Sequence, residues 1–527
     1  MKTKNIFDLI DVSDKIAFKV IGDGEISYFE LLNLIRVRSG EFTENAIVGL
    51  CYPTSIKLIV DYLAAIYAGA IPVMIAHPSI KVKDEIFNQR LQNIKQLGVD
   101  KIYTSAFPSR LYDDFPGRQI NRIAFGQLSS GTTGQQKAFL FSHDSLIKQI
   151  ESYSKSISFS DKSVCVSWLP LYHDMGLIAS LFLPLLQNAT SVIIPTFDWI
   201  NNIFMFFDVL EQEKGTHVWF PNFCFELLAR KKRQICTDTM FINCSEPCKR
   251  ESVDKFTLST GIGKIYSCYA MAETVFACCQ HTEKPVSLNG IMSSGKPIDG
   301  MQIKLNDNNE IEVKSDFLFS ETLENGTRIK NTEEWYNTKD KGEIWDGDLY
   351  IFGRTKEMMI VNGKNVFCNE VEFVVNSVEG VDPGRCVCLP VEESGTEKCI
   401  IMFEGNKAVS TDIKEKVFQF IDINSIVMNV PQNTLIKTSS GKFSRSENSK
   451  IFHKRNKIYD IIVKFLIEND LSNYAFLYMR LRSSGILDSF NTFFLLSTIA
   501  EEFKNINWNK NYSHLDTVED FINEFAA

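Results

Sequence analysis

The sequence predicts an α/β protein built on parallel sheets, and three observations support this prediction. Before Gly300, short apolar runs of strand length alternate with segments whose apolar residues recur at helical spacing. After Gly300 the sequence changes to short strands and turns, which predicts a small β-rich subdomain. Residues 456–527 have helical periodicity and predict a small helical bundle.

The predicted elements follow one another in a regular order. Residues 46–51 have the pattern of a buried strand that Pro53 ends, and residues 55–67 have helical spacing that ends at Gly69. Further strands are predicted at residues 71–74, 101–104, 123–125, 139–141, 163–168, 191–194, 216–220, 240–243 and 264–267. Further helices are predicted at residues 83–97, 143–156 and 458–467, after 485–490 through Phe503, and at 516–525, with Asp516 or Thr517 as cap.

The composition excludes several classes of function. The 527 residues are 44% hydrophobic, as in globular proteins. The formal net charge of −9 argues against a general affinity for nucleic acid, and the basic run at 230–233 is interpreted as a solvated helix end. The 13 cysteines lack paired Cys-x-x-Cys spacing, so we expect free buried thiols in a reducing cytosol rather than a metal site.

Neither a signal peptide nor a membrane span is expected. The first eight residues become acidic too early for a signal peptide. The most apolar stretch, residues 177–186, contains Pro184 and is too short to span a bilayer. The sequence therefore predicts a soluble, cytoplasmic protein.

A loop rich in glycine and hydroxyl residues lies between the strands predicted at 123–125 and 139–141. Glycine lets backbone N–H groups approach a phosphate, hydroxyls add donors, and lysine adds a positive charge. The spacing is not that of a Walker A loop, and a plain surface turn is the alternative. The predicted phosphate-binding residues are Ser129, Ser130, Gly131, Thr132, Thr133, Gly134 and Lys137.

Four further motifs follow this loop in chain order. They are Trp-Leu-Pro-Leu-Tyr-His-Asp-Met-Gly at 168–176, Tyr-Ala-Met-Ala-Glu-Thr at 269–274, Gly-Arg-Thr-Lys at 353–356 and Lys-Thr-Ser-Ser-Gly-Lys-Phe at 437–443. Together with the loop, they resemble the adenylate-forming (acyl/aryl-AMP ligase) superfamily, and residues 168–176 and 221–223 resemble most its fatty acyl-AMP ligases. The resemblance implies a ligase that activates a carboxylic acid with ATP and Mg2+.

The same resemblance implies a division into domains. A large adenylating N-terminal domain would cover residues 1–352, and a small α/β lid domain residues 353–455, with Lys356 at the hinge. Residues 456–527, with Gly-Ile-Leu-Asp-Ser-Phe at 485–490, resemble an acyl or peptidyl carrier protein. Ser489 is therefore the expected attachment point for 4'-phosphopantetheine. In the alternative interpretation, Asp488 and Ser489 merely cap a helix.

The resemblance also implies roles for individual residues. Lys442 would bridge the attacking carboxylate and the phosphate, and Glu273 would hold Mg2+, a cation that prefers oxygen ligands. Thr274 would lie near the α-phosphate, and His173 near the acyl carboxylate, unless His173 is a structural residue. The remaining expected nucleotide-site residues are Tyr269 near adenine, the adenine-side loop Ser245, Glu246 and Pro247, Asp340 and Arg354 at the ribose or phosphate, and Lys356 at the hinge.

Four positions differ from the usual pattern of the superfamily. Gln136 replaces the proline before the phosphate-loop lysine, and Ala138 replaces the glycine after it. Lys339 replaces the glycine before Asp340, which raises the question of the backbone geometry there. Asn222 lies where peptide synthetases usually place an aspartate, which disfavours an α-amino acid as substrate.

The expected function is activation of a fatty acid to acyl-AMP with release of pyrophosphate, followed by transfer to the phosphopantetheine thiol of the chain's own carrier domain. An apolar chain would gain about 0.8 kcal/mol per buried CH2. Expected partners are the acid, a phosphopantetheinyl transferase and downstream acyl-transfer or polyketide/peptide synthase enzymes. Three alternatives remain open: an acyl-CoA synthetase that uses free CoA, an amino-acid-activating protein with a carrier, and an inactive binding protein on this fold.

Overall fold

The computed structural model describes residues 5–78, 84–105, 118, 121–129, 137–230, 232–281, 286–288, 290–361, 364–393, 396–438, 442–468, 492, 495–499, 503, 512 and 514–526. It divides into two compact units, Met1–Lys356 and Glu357–Ala527. The division falls directly after the Gly-Arg-Thr-Lys motif.

The first unit alternates strands and helices over most of its length. Its strands are β1 Ile16–Val20, β2 Gly24–Ser27, β3 Ile47–Leu50, β4 Ile71–Met74, β5 Lys101–Tyr103, β6 Ile123–Leu128, β7 Ala138–Ser142, β8 Val164–Ser167, β9 Thr190–Ile193, β10 His217–Pro221, β11 Met240–Cys244, β12 Ile265–Ala270, β13 Ala277–Gln280, β14 Ser287–Leu288, β15 Ile291–Met292, β16 Lys296–Pro297, β17 Met301–Leu305, β18 Glu310–Ser315, β19 Glu321–Glu324, β20 Thr327–Lys330, β21 Tyr336–Trp345 and β22 Asp348–Arg354. Its helices are α1 Tyr28–Ser39, α2 Ile56–Tyr67, α3 Asp84–Gln96, α4 His143–Ser156, α5 Asp174–Gly176, α6 Leu183–Leu186, α7 Thr196–Asn201, α8 Met205–Gln212, α9 Asn222–Ala229 and α10 Arg250–Thr260.

Two large mixed sheets organise the first unit. One has the strand order β16-β13-β12-β11-β10-β8-β9-β1-β2, and β12 through β1 run parallel. The other has the order β20-β19-β7-β6-β4-β3-β5, with β5, β3, β4 and β6 parallel. The predicted parallel α/β architecture is confirmed, with antiparallel strands added at the edges.

The predicted β-rich subdomain after Gly300 is also present. Strands β17, β18, β21 and β22 form an antiparallel sheet in that order. Strand β21 carries the Thr-Lys-Asp turn at residues 338–340, and β22 leads into the Gly-Arg-Thr-Lys motif. The subdomain thus brings two of the predicted site motifs onto neighbouring strands.

Local capping signals explain several element bounds. Helix α4 has the predicted bounds, because the Ser142 side chain accepts the N–H of Ser145. Helix α1 and the hairpin of β1 and β2 were not predicted, although Ser27 and Glu30 form a capping box at the start of α1. The charged residues interspersed in these elements obscure their apolar periodicity.

The most apolar stretch of the sequence lies in the core. Helix α5, a π-helical turn at Leu177–Phe182 and helix α6 follow one another without a break, and every side chain from Met175 to Leu186 is buried. No helix in the described part of the chain has the length and apolarity needed to cross a membrane.

The second unit contains a small α/β layer followed by helices. Its elements are β23 Met358–Val361, β24 Lys364–Phe367, α11 Cys368–Asn376, β25 Val381–Glu393, β26 Thr396–Gly405, α12 Ser410–Ile421, β27 Ser425–Asn429, α13 Arg445–Glu468 and α14 Val518–Ala526. Strands β25, β26 and β27 form one sheet, and β23 pairs with β24. Helix α13 is continuous across the predicted boundary between residues 455 and 456.

The closing helix of the tail was predicted at residues 516–525. It forms as α14, and Thr517 is the cap: its hydroxyl accepts the Asp520 N–H at 3.1 Å, while the Asp520 carboxylate accepts the Thr517 N–H at 2.7 Å. The second half of α13 and α14 share an apolar cluster that includes Ile458 and Phe521. The described tail is therefore helical and packed.

All thirteen cysteines are free, as predicted. Twelve are buried, and Cys236 is exposed. Burial raises the pKa of buried thiols such as Cys165, to about 12, because the thiolate would lose its hydration. These cysteines therefore behave as small apolar core residues.

Candidate active site

The motifs of the first unit gather along one edge of the nine-stranded sheet. Strands β12, β11, β10, β8 and β9 are neighbours and run parallel, so their carboxyl ends meet at one edge. Tyr269 lies near the end of β12, and Glu273 lies shortly after it. Ser245, Phe223 and Trp168 come after the ends of β11, β10 and β8, respectively. In open α/β sheets such an edge is where ligands bind.

The β-rich subdomain adds a ring of polar groups to this edge. The Tyr269 hydroxyl donates to Asp340 Oδ2 at 2.6 Å, and Arg354 Nε donates to Asp340 Oδ1 at 3.1 Å. Asp340 is 8% exposed, and Tyr269 is buried. Three residues predicted for adenine and ribose are therefore joined through one carboxylate. Burial and the Asp340 charge together raise the pKa of the Tyr269 phenol.

Glu273 lies beside this ring. Its carboxylate is 3.5 Å from the Tyr336 hydroxyl, which donates to it. Burial raises the pKa of Glu273; the Arg354 charge opposes that rise, and the carboxylates of Asp340 and Asp174 reinforce it. A cation placed here would therefore relieve repulsion among three carboxylates.

The turn after Glu273 is tightly constrained. Thr274 is fully buried, and its hydroxyl contacts the carbonyl oxygens of Met271 and Phe276 at 3.2 and 2.9 Å. Val275, a β-branched residue, has a φ of 65°, which costs energy and is unusual outside functional sites. The fold therefore presents Glu273 from a strained turn, and the predicted phosphate contact of Thr274 stays a prediction.

The predicted adenine-side loop lies between two other motifs. Ser245 has a φ of 78°, and its hydroxyl is 3.9 Å from the Met175 sulfur. The Glu246 carboxylate accepts the Phe223 N–H at 3.2 Å at the start of α9, and Pro247 is half-buried. The loop therefore connects the 168–176 motif with the segment at 221–223.

The 168–176 motif brings His173 to the same edge. The His173 imidazole is half-buried, with Nδ1 3.6 Å from Asp174 and its ring 5.8 Å from that of Tyr172. A Cβ at Gly176 would lie 2.1 Å from the Pro170 carbonyl oxygen, so only glycine allows this close return of the chain. Because the Asp174 charge acts on Glu273, His173 and the predicted magnesium ligand belong to one region.

An aromatic wall lies at the other end of this edge. The Trp168 and Trp199 rings stack with centroids 3.8 Å apart, and Phe223 contacts Trp168 edge-on at 6.3 Å. Phe223 is 40% exposed. Asn222, in contrast, is buried and accepts a hydrogen bond from Asn243 at 2.9 Å. Phe223 is therefore exposed in this segment, whereas the neighbouring Asn222 is buried.

The ends of the phosphate loop are joined as a hairpin between β6 and β7. The Ser129 N–H donates to the Lys137 carbonyl at 2.8 Å, and the Lys137 N–H donates to the Ser129 hydroxyl at 3.1 Å. Lys137 Nζ forms an ion pair with Glu324 at 3.0 Å. The other predicted members, Ser130, Gly131, Thr132, Thr133 and Gly134, lie outside the described residues.

Phe319 connects this hairpin to Glu273. Its ring lies 5.0 Å from that of Phe139 on β7 and 5.5 Å from that of Tyr336. Its N–H donates to the Glu273 carbonyl at 3.0 Å. Strand β7, which follows the predicted phosphate loop, and the predicted magnesium ligand are thus parts of one packed region.

Lys339 adopts the conformation that a glycine would adopt more easily. Its φ is 63°, in the left-handed region, and its ammonium pairs with Glu310 at 3.5 Å. Glu310 also accepts hydrogen bonds from Asn337 and Thr355 at 2.7 and 2.9 Å. The turn that presents Asp340 is therefore retained despite the lysine.

Three further predicted residues belong to other parts of the chain. Lys356 lies in a 3-10 turn, Thr355–Glu357, at the division between the units. Lys442 lies in the second unit, immediately before Phe443. Ser489, the predicted phosphopantetheine attachment point, lies outside the described residues.

The donor set at Glu273 fits Mg2+ and a nucleotide. Magnesium commonly uses one or two carboxylates together with phosphate oxygens and water. Groups of three or more metal-ligating side chains are absent from the described residues, so Glu273 would act with phosphate oxygens rather than within a protein cage. Asp340 carries a carboxylate suited to two ribose hydroxyls, and Arg354 supplies positive charge beside it.

Sequence reasoning missed three residues of this site. Tyr336 contacts Glu273, Glu310 holds the Lys339 turn, and Asp174 acts electrostatically on Glu273. Asp174 lies within a motif that was identified, so its sequence position was a usable signal. Tyr336 and Glu310 reach the site through strand pairing in the subdomain, which no local pattern reveals.

Known proteins resemble this chain in sequence. Residues 83–316 match the model of the AMP-binding enzyme family. The medium-chain-fatty-acid–(acyl-carrier-protein) ligase JamA of Moorena producens (strain JHB) is 21% identical over 543 aligned residues, covering 82% of this chain and 92% of that protein.

Solved structures share the fold. McyG A-PCP complexed with phenylalanyl-adenylate aligns with a TM-score of 0.76 at 18% identity, over 86% of this chain and 96% of that chain. A structure from the fatty acyl-adenylate ligases of E. coli and L. pneumophila aligns with a TM-score of 0.73 at 17% identity, over 86% and 99%. Residues 83–316 thus match the AMP-binding enzyme family, the chain has the adenylate-forming fold, and the relatives support a ligase.

Proposed function

We propose that this ligase activates a fatty acid with Mg-ATP to form acyl-AMP and pyrophosphate. The acyl group then passes to a phosphopantetheine thiol, on Ser489 of the same chain. The observation that carries the proposal is the cluster of Glu273, Tyr269, Asp340 and Arg354 at the sheet edge, beside an aromatic wall.

The first step is an in-line displacement at the α-phosphate of ATP. The carboxylate oxygen of the acid forms a bond to phosphorus, and the bond from phosphorus to the pyrophosphate oxygen breaks. Anionic reactants must be shielded from each other, and charge must be stabilised in the transition state. Glu273 would hold Mg2+ against the phosphates, and the loop ending at Lys137 would hold the β- and γ-phosphates. Lys442 would bridge the carboxylate and the α-phosphate.

The nucleotide would be oriented by the polar ring of the subdomain. Asp340 would bind the ribose hydroxyls, Arg354 would contact the ribose or phosphate, and Tyr269 and the Ser245–Pro247 loop would flank adenine. His173 would lie by the acyl carboxylate. The activity of JamA, a medium-chain-fatty-acid ligase, supports a fatty acid as substrate. The wall of Trp168 and Phe223 supports an apolar chain.

In the second step the phosphopantetheine thiol attacks the acyl carbon, the carbon–oxygen bond to AMP breaks, and the thiol proton leaves to solvent. Lys356 would be the hinge about which the lid domain rotates between the two half-reactions. The rotation would move Lys442 away from the site and bring a different face of the lid to it. The helical packing of the described tail and the position of Ser489 within Leu-Asp-Ser support a fused carrier as acceptor. A phosphopantetheinyl transferase and a downstream acyl-transfer or polyketide/peptide synthase enzyme would be partners.

The test is the intact mass of the phosphopantetheinylated protein before and after incubation with Mg-ATP and a mixture of carboxylic acids. We expect an ATP-dependent acyl adduct whose mass identifies the acid. The adduct should be absent from Ser489→Ala, and Lys442→Ala should nearly abolish both the adduct and pyrophosphate exchange.

The outcomes separate the two steps. Pyrophosphate exchange without an adduct would show that adenylation occurs but self-loading does not. If Ser489→Ala also formed an acyl-CoA thioester, free CoA rather than the carrier would be the acceptor. Exchange at the wild-type rate in Lys442→Ala would show that the lysine assignment is wrong. Failure of holo-protein to bind ATP would contradict the enzyme mechanism itself.

A further inference from the structure

The loop that carries Lys442 has two ends held side by side. Lys437 and Phe443 form an antiparallel bridge. The Thr438 N–H and hydroxyl both lie within hydrogen-bonding distance of the Lys442 carbonyl oxygen, at 2.7 and 3.1 Å. The backbone of Lys442 is therefore held by hydrogen bonds from Thr438, at the other end of the loop.

A single buried amide joins the two ends one residue further out. Asn448 Oδ1 accepts the Ile436 N–H at 3.0 Å, and its Nδ2 donates to the carbonyl oxygens of Ile436 and Ser444, both at 2.8 Å. The Ser444 N–H also donates to the Ile436 carbonyl at 3.0 Å. The Asn448 side chain is fully buried. It therefore contacts the chain just before the loop and just after it.

The helix that carries Asn448 is itself anchored. Arg445, in the first turn of α13, forms ion pairs with Glu372 and Glu357 and donates to the Cys388 carbonyl oxygen at 2.8 Å. Its guanidinium is largely removed from solvent. Asn448 lies one turn further along α13, so these contacts of Arg445 also fix its position relative to β25.

We propose that Asn448 is a positioning residue for Lys442, because its amide closes the base of the loop that presents this lysine. The inference rests on the proposed function, in which Lys442 acts in adenylation. A lysine side chain is long and flexible, so its reach depends on where its backbone is held. A displacement of about 1 Å of a reacting group can cost about 100-fold in rate.

The test is Asn448→Leu, which keeps the approximate side-chain volume and removes the three amide hydrogen bonds. We expect acyl-adenylate formation, measured by pyrophosphate exchange, to fall about 100-fold. Thioester formation from supplied acyl-adenylate should not change, because Lys442 takes no part in that step. The KM for ATP should change far less than the rate, because every proposed nucleotide contact other than that of Lys442 lies in the first unit.

A matched control is available in the same unit. Asn429 Nδ2 donates to the carbonyl oxygens of Phe403 and Gly405 at 3.4 and 3.2 Å, away from the loop. Asn429→Leu should leave both half-reactions unchanged. Asn448→Asp would place a carboxylate against the carbonyl oxygens of Ile436 and Ser444 in a buried site, so its adenylation rate should fall at least as far as that of Asn448→Leu.

Two results would overturn the inference. One is an adenylation rate of Asn448→Leu equal to that of Asn429→Leu. The other is an equal fall in both half-reactions, which would indicate a general loss of structure. If Lys442→Ala adenylates at the wild-type rate, the catalytic role proposed for Lys442 is wrong. If Lys442→Ala is defective but the Asn448 variants adenylate normally, only the positioning role of Asn448 is wrong.

Discussion

At the scale of single residues, His143 is a buried imidazole with few hydrogen bonds to the described residues. It is the first residue of α4, and its Nδ1 is 3.4 Å from the Ile6 nitrogen, which donates to it. Its Nε2 has no hydrogen-bond partner among the described residues. Burial lowers the pKa of His143 to about 4, the Arg118 charge adds to this, and Asp8 opposes it. The folded protein therefore keeps the imidazole neutral where the unfolded chain would protonate it.

This predicts a stability change in mildly acidic solution. The His143 contribution is fully present above pH 6.5, the ordinary pKa, and is lost as the pH falls towards 4. Each unit of pKa shift corresponds to about 1.4 kcal/mol. Relative to His143→Gln, wild type should lose roughly 2–4 kcal/mol of unfolding free energy between pH 6.5 and 4. Urea titrations at several pH values would measure this, and parallel curves for the two proteins would contradict it.

At the scale of elements, a buried ion pair links helices α1 and α2. Arg38 Nε donates to Asp61 Oδ1 at 2.9 Å, and the Tyr52 hydroxyl donates to Asp61 Oδ2 at 2.5 Å. Asp61 is 1% exposed and Arg38 9%. Truncation of one partner of such a pair leaves a buried charge with weaker compensation, which costs far more than loss of a surface pair.

Asp61→Ala should therefore lower the free energy of unfolding by about 3 kcal/mol. Asp144→Ala is the control, because the Asp144 pair with Lys148 is exposed and worth about 0.5 kcal/mol. Urea unfolding followed by tryptophan fluorescence would measure both variants. Equal, small losses would mean that the Asp61 network contributes no more than a surface contact.

Elements also show what the sequence could predict. Helix α4 and strand β4 were predicted with their observed bounds, because caps and apolar runs are local signals. The site was predicted only as separate motifs. Tyr336 and Asp340 reach Tyr269 and Glu273 through pairing of distant strands, and the apolar pattern of β21 does not encode those contacts. The αL conformation of Lys339 was likewise beyond a local pattern, since Glu310 helps to retain it.

At the scale of the whole molecule, the second unit is continuous across the domain boundary that was predicted between residues 455 and 456. Helix α13 runs without a break through residues 452–460, where Phe452 packs against the lid sheet and Ile458 against the tail cluster. Arg455 donates to Asn523 of α14 at 2.8 Å, and Lys407 of the lid pairs with Glu519 of α14 at 2.6 Å. The lid and the described tail therefore share a helix and two polar contacts.

This joint predicts resistance to proteolysis. Trypsin should cut wild type slowly at Lys454, Arg455 and Lys457, because helical backbone does not fit a protease cleft without local unfolding. Lys457→Pro removes a helical hydrogen bond at a cost of about 3 kcal/mol and should make residues 454–455 a preferred site that releases the tail. Lys457→Ala, which removes the charge of this exposed residue but keeps the helix, should stay resistant. Rapid release of the tail from wild type would instead mean that the carrier-like segment moves on a flexible linker. Resistance would mean that any rotation of the lid at Lys356 moves the tail with it, so that self-loading would depend on that rotation.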